Sequence, residues 1–455
     1  MKILLAFFLS ITVAVSYCRA LDGGGDSVRG LSPYSFGLAE ARSGADRYAA
    51  ILKTHQAAVR AGLDVDYTGI DSLEIEIPDQ FVSIPLTRNN DFKGCMFHVK
   101  NTARRAMLFT LKEEETPVRV EAWMIDSGDF RSVPQLADGR MLLIVEDDNP
   151  WVERRKGYEY GHRRRDIMLV ENGRATNATV MPYNNEATLP VCKFANARGA
   201  VVVRNLTFNR DTASTEIVSL LDISGCDSVI IGNLTINTPE SNLVDDNVVN
   251  ITDCTNVMLS DVSVNGTYSR TDYSGYGISL DNVWNFYAKN LYGNAKWGVF
   301  GTNNVNKARI DDSEINRFDI HCYGRDVSFV RVKFFSLYNQ FSSMYGNLTF
   351  EQCEFRDFIP VQIETSYNAY TEFDITIDSC VYYTTPKKDF LVSTGSMADN
   401  PNPRPELSEK RLPNVSVQGL KVVSLDSGKT KRRVAIFRKS GNLIRKFKIK
   451  NTIKL

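Results

Sequence analysis

From about residue 196 a short motif recurs down the chain: Asn205-Leu-Thr-Phe, Asn233-Leu-Thr-Ile, Asp261-Val-Ser-Val, Asn290-Leu-Tyr-Gly, Ser313-Glu-Ile-Asn, Arg331-Val-Lys-Phe, Gln352-Cys-Glu-Phe and Ser379-Cys-Val-Tyr. Successive starts lie 28, 28, 29, 23, 18, 21 and 27 residues apart. Each motif reads as a short strand with alternating apolar positions, and Gly, Asn, Asp and Ser fill the gaps without helical periodicity. A unit this short cannot bury its apolar face alone and must stack on its neighbours, one coil per repeat. The expected architecture is an all-β parallel β-helix. Leucine-rich and propeller repeats fit worse, because the Leu ladder of the first and the Trp-Asp signature of the second are absent. Seven Asn-x-Ser/Thr sequons, Asn205-Leu-Thr and Asn233-Leu-Thr among them, mostly fall at the repeat position, where coil-turn chemistry explains them without glycosylation.

The rest of the chain is read around that solenoid. Residues 1–20 hold one Lys, an apolar run and a small-residue cleavage pattern, a secretory signal, with a lipoprotein reading through Cys18 disfavoured by the bulky Tyr17 before it. Residues 21–425 form the β-helix domain. Within it, residues 43–63 have helical apolar spacing, an acidic first turn and a late Gly, which predicts a helix capping the open end of the stack. Residues 112–193 lose the repeat and turn strongly charged, an elaboration on the solenoid. Residues 426–455 form a basic hairpin-like tail, with eleven Lys and Arg and no acid from residue 429 onward. No later apolar run is long enough to span a membrane. The formal net charge of zero gives no whole-chain attraction to nucleic acid. Export with seven mature cysteines suggests disulfides, yet Cys226 and Cys254, like Cys353 and Cys380, occupy equivalent repeat positions. That predicts buried, unpaired thiols stacked in the core.

In period and coil texture, residues 43–425 resemble the right-handed parallel β-helix proteins of the pectin-lyase-like superfamily. Those are mostly exported polysaccharide lyases and hydrolases, with some viral tailspikes and adhesins. Of the polygalacturonase motifs, Asn237-Thr238-Pro239 and Asp245-Asp246 echo Asn-Thr-Asp and Asp-Asp, while Gly-His-Gly and Arg-x-Lys are missing. The resemblance implies a secreted, periplasmic or cell-surface protein whose partner is a polysaccharide. It leaves the oligomeric state open.

The densest set of reactive side chains runs from Asn316 to Asp326. Strand alternation points Phe318, Ile320 and Cys322 inward and Arg317, Asp319, His321 and Tyr323 outward, with Arg325 in the turn beyond. Aligning Val283, Val305 and Val327 stacks Ile278, Phe300 and Cys322 in one inward column and Tyr276, Gly298 and Ile320 in another. It also sets Trp297 beside Asp319 as a flat wall for a sugar ring. On the other side Gln340 falls near Asp319, and Gln362 and Glu364 face outward two coils from the strand, about 10 Å away.

Two chemistries suit this face. Elimination from a uronic acid needs a cation at the carboxylate and a base at C5, roles open to Arg317 or Arg325 and to His321 or Tyr323. Hydrolysis needs two carboxylates across a glycosidic bond, Asp319 with Glu364 or Asp245 with Asp246. Elsewhere, His162, Arg163 and Arg164 form a cluster whose guanidinium forks suit an anionic glycan. The acids present offer oxygen ligands to calcium, but no loop has the ligand spacing, and no cofactor is expected. The expected function is an exported enzyme degrading an anionic polysaccharide. The competing expectation is a non-catalytic, glycan-binding adhesin or tailspike-like rod.

Overall fold

The computed structural model describes residues 30–152, 162–180, 182–183, 191–195, 199–238, 247–266, 276–295, 297–335, 339–356, 358–363, 372–384, 390–394, 414–425, 435–438, 447–450 and 453–454. The signal and Cys18, the Asp245-Asp246 pair and Glu364 lie outside them.

The chain folds as a right-handed parallel β-helix. One inward column runs Val201, Val229, Val257, Phe286, Ala308, Val327, Leu348, Ile375, Val415, each in register with the next. The repeat starts are its corners. Asn205, Asn233, Asp261, Asn290, Arg331, Gln352 and Ser379 are all left-handed, with φ between 48° and 58°, a conformation that Asn and Asp tolerate best after Gly. In the coil opening at Ser313 the corner is Asp312, one residue earlier, with φ of 47°. Corner side chains bond from coil to coil, Asn233 to Asn205 at 2.9 Å and Asn290 to Asp261 at 3.1 Å. Cys226, Cys254, Cys353 and Cys380 are free and buried, as their repeat positions imply.

The capping helix spans Gly44–Ala61, opened by a reciprocal capping box between Ser43 and Asp46 and closed by Gly62 at φ 65°. It buries Tyr48, Ile51, His55 and Ala58 over the first coil. His55 is enclosed by Tyr67, Phe92 and Phe109. Its Nδ1 lies 2.9 Å from the Pro85 carbonyl and its Nε2 2.8 Å from the Tyr67 hydroxyl. A carbonyl only accepts, so the neutral ring carries its proton on Nδ1 and accepts from Tyr67.

The charged stretch after Lys112 forms a separate antiparallel sheet of the strands Glu115–Val118, Val191–Ala195, Arg140–Val152, His162–Glu171 and Arg174–Ala175. One face packs the short helix Ala122–Ser127 over Val118, Leu143, Val145 and Met168. On the other face, Leu142, Ile144, Ile167 and Leu169 enclose Trp284 of the β-helix. Ion pairs flank this contact: Arg165 reaches Glu146 at 2.6 Å and Asp281 at 3.5 Å, and Lys193 reaches Glu115 at 2.5 Å and Asp253 at 3.1 Å.

The tail departs from the hairpin expectation. Ala435–Arg438, Phe447–Lys450 and Ile453–Lys454 pair in parallel with the strands of the preceding coil, so they continue the solenoid. Alternating apolar residues around a Ser-Gly-Asn turn read alike in a hairpin and in a coil. The edge they find decides between the two. Among the described residues, no helix is long and apolar enough to cross a membrane.

Candidate functional site

The strand Phe318–Cys322 places Phe318 and Ile320 in the core and faces Asp319 outward, in register with Gly301 on one side and Gln340 on the other. Gly301 makes the site. A Cβ there would lie 2.2 Å from the ring of Tyr276, so its absence lets that ring cross from the previous coil. The Tyr276 hydroxyl then reaches Asp319 Oδ2 at 2.6 Å and His321 Nε2 at 2.8 Å, and accepts from Trp297 Nε1 at 2.9 Å.

Arg317 grips Asp319 with both arms of its fork, Nε to Oδ1 at 2.7 Å and Nη2 to Oδ2 at 2.6 Å. Nη2 also reaches Gln340 Oε1 at 3.2 Å, and the guanidinium carbon lies 4.3 Å over the Trp297 ring. The Gln340 backbone N–H donates to Asp319 Oδ1 at 3.0 Å. Burial pushes the Asp319 carboxyl up, against the pull of Arg317, Tyr276 and Gln340. Four donors on two oxygens hold it as the anion. Burial and the neighbouring Asp319 push the Tyr276 hydroxyl well above its ordinary value, so it stays protonated.

The proton count then fixes a tautomer. Tyr276 has one proton to give, Trp297 can only donate, and ionised Asp319 can only accept. Tyr276 therefore donates to Asp319, and His321 donates to Tyr276 from Nε2.

Several expected positions are corrected. Phe300 pairs with Phe318, eighteen residues on, rather than with Cys322. Asp319 accordingly lies beside Gly301 and not in line with Trp297, which approaches instead from the preceding turn. Tyr276, expected inside, lies on the outer face. A bulge follows: Ile320 pairs with Thr302 but Cys322 with Asn303, leaving His321 as the extra residue. Cys322 thus joins the outward column of Asp281 and Asn303, and it is buried without belonging to the main core. Tyr323, at φ 62°, is buried with Cys322, Tyr345, Arg165 and Tyr183 close by, toward the antiparallel sheet. Arg325 donates to the Ala178 carbonyl at 2.8 Å, again toward the antiparallel sheet.

Asp319 has none of its surface exposed and Arg317 only 1%, and their bonds hold Tyr276, Trp297 and Gln340 in place. Trp297 is 37% exposed, and His321 and Gln362 are half-buried, Gln362 in register with Gln340. Arg164 is buried, its guanidinium 3.8 Å over the Tyr183 ring. His162 and Arg163 belong to the strand His162–Glu171, but their side chains lie outside the description. Among the described residues, no group of His, Cys, Asp and Glu could hold a metal ion.

No protein-family model matches the sequence, and no curated protein does. Solved structures do. The chain superposes on the tailspike protein gp49 from Pseudomonas phage LKA1 with a TM-score of 0.53 and 13% identity, over 93% of this chain and 79% of that one. The Pseudomonas phage phi297 tailspike gp61 gives 0.50 and 14%, over 86% and 75%. The Gp54 tailspike of Acinetobacter baumannii bacteriophage AP22, solved in complex with A. baumannii capsular saccharide, gives 0.57 and 12%, over 93% and 69%. What is shared at these identities is the parallel β-helix.

Gly301→Val is expected to expel the Tyr276 ring, at an overpacking cost of about 1–3 kcal/mol. Trp297 and His321 would both lose their fixed orientation. Thermal melts with tryptophan fluorescence check this, and an unchanged spectrum would mean that Tyr276 does not sit over Gly301.

Proposed function

We propose that this chain is a glycan-binding, tailspike-like β-helix protein acting outside the cell, and that its glycan lies along the outer face at Trp297, His321 and Gln362. The observation that carries this reading is the state of Trp297. Its Nε1 is tied to Tyr276 and one ring face rests on Arg317, yet 37% of the residue is exposed. A large ring held rigidly and left open suits stacking against a pyranose, since little side-chain entropy remains to be lost on binding. The tailspike neighbour solved with a capsular saccharide supports a glycan as the ligand. In the same proposal, residues 1–20 serve export, and the antiparallel sheet belongs to the one solenoid domain.

Titration of bacterial capsular polysaccharides into wild type and Trp297→Ala tests the reading. Removing an aromatic anchor costs about 2 kcal/mol or more, roughly 30-fold in affinity. Equal binding by the two proteins would place the glycan elsewhere.

A second reading, depolymerisation, is favoured by the His321–Tyr276–Asp319 chain, which fixes a half-buried imidazole beside Trp297 as a base. Asp319 is sealed and saturated with donors, so the role of base falls to His321 and not to Asp319. Absorbance of unsaturated products and release of reducing ends on the same polysaccharides decide this. His321→Ala would lower such turnover about 100- to 10,000-fold.

A further inference from the structure

We infer that the sugar unit stacked on Trp297 is uncharged, an inference that rests on the glycan-binding reading above. The guanidinium nearest the ring is Arg317, and it is spent inside the protein. Its Nε and Nη2 bind Asp319, Nη1 faces the Trp297 carbonyl at 3.5 Å, and only 1% of the residue is exposed. Its charge is cancelled by the carboxylate it grips. A sugar carboxylate could recruit Arg317 only by displacing Asp319, which would then be buried without its cation.

Among the described arginines that suggested an anionic ligand, Arg325 holds the Ala178 carbonyl and Arg164 stacks on Tyr183, and their neighbour Arg165 pairs with Glu146 and Asp281; the Arg163 side chain lies outside the description. Around the open side of Trp297 the described groups are of another kind. The half-buried amide of Gln362 lies one coil beyond Gln340, whose own side chain is buried with its oxygen taken by Arg317, and His321 has its Nε2 committed to Tyr276. An amide presents a donor and an acceptor side by side, the pattern offered by neighbouring sugar hydroxyls. A carboxylate only accepts, so it would leave the Gln362 amide oxygen unmatched and lose its hydration without a cation in return. The apolar C–H face of a neutral pyranose matches the indole.

The probe is a set of acidic capsular polysaccharides, each in native form and with its carboxyls chemically reduced to alcohols, together with neutral ones. Binding to the full chain is measured at about pH 8, above the ordinary histidine range, and at about 0.05 M and 0.5 M salt. Expected is binding to neutral or carboxyl-reduced polymers that changes less than about twofold with salt, is lost in Trp297→Ala, and survives in Lys296→Gln, which neutralises the cation preceding Trp297 in the chain. Binding confined to native acidic polymers, abolished by carboxyl reduction and weakened by salt, overturns the inference and leaves the glycan reading standing. Binding to none of the polymers removes the glycan reading and the inference with it.

Discussion

Asp319→Ala and Arg317→Ala are each expected to destabilise the folded chain by about 3–5 kcal/mol, the range for removing one partner of a buried ion pair. Both side chains are almost wholly buried and bonded twice to each other. Asp319→Ala leaves a guanidinium without its counter-charge and takes acceptors from Tyr276 and from the Gln340 N–H. Arg317→Ala leaves a carboxylate without its cation and removes the support behind Trp297. The pair taken together behaves differently, because two desolvated charges contribute little net stability over apolar groups of similar volume. Arg317→Met combined with Asp319→Leu is therefore expected to recover most of the loss that either of these substitutions causes alone, giving a strong coupling in a double-mutant cycle of wild type, Arg317→Met, Asp319→Leu and the pair. Urea unfolding of the four proteins measures it. Single variants within about 1 kcal/mol of wild type would show that the pair is hydrated rather than buried.

The second large effect is a loss of stability on acidification through His55. Enclosure lowers its pKa from 6.5 to about 4, desolvation being the main cause and the Pro85 carbonyl a smaller opposing one. Above pH 6.5 the ring is neutral in both folded and unfolded chains, and it makes no pH-dependent contribution. Between pH 6.5 and 4 the unfolded chain binds a proton that the folded chain refuses, so stability falls as pH falls. Below about pH 4 both forms carry the proton and the loss levels off at about 3 kcal/mol. His55→Gln retains a donor and an acceptor but cannot titrate, so its unfolding free energy should flatten across that window. Urea melts from pH 7 to 4 compare the two proteins. An equal slope in both would assign the acid sensitivity to other groups.

Local chemistry, which the amino acids carry wherever they sit, made much of the fold readable in advance. A left-handed corner favours Asn or Asp, so Asn205, Asn233, Asp261 and Asn290 marked the coils before any contact was known. Equivalent positions of Cys226 and Cys254 implied stacked thiols, and the apolar spacing, acidic first turn and late Gly of residues 43–63 implied a helix. Gln340 beside Asp319 was also legible, because those coils keep nearly constant lengths. The site itself was only half legible. Arg317, Asp319, His321 and Trp297 do come together, but coil length between Phe300 and Phe318 sets who faces whom, and a shift of one residue in a strand moves every later side chain to the other face. The bulge at His321 is such a shift, and it carried Cys322 out of the core column. Tyr276, the centre of the hydrogen-bond network, had one sequence signal, a glycine at the outward position 301. Its meaning depends on which ring lies over it. Tyr323 and Arg325 point outward from their coil, yet burial on an outer face depends on what covers it. Here the cover is the sheet formed by residues more than a hundred positions earlier, and only the folded chain brings the two together.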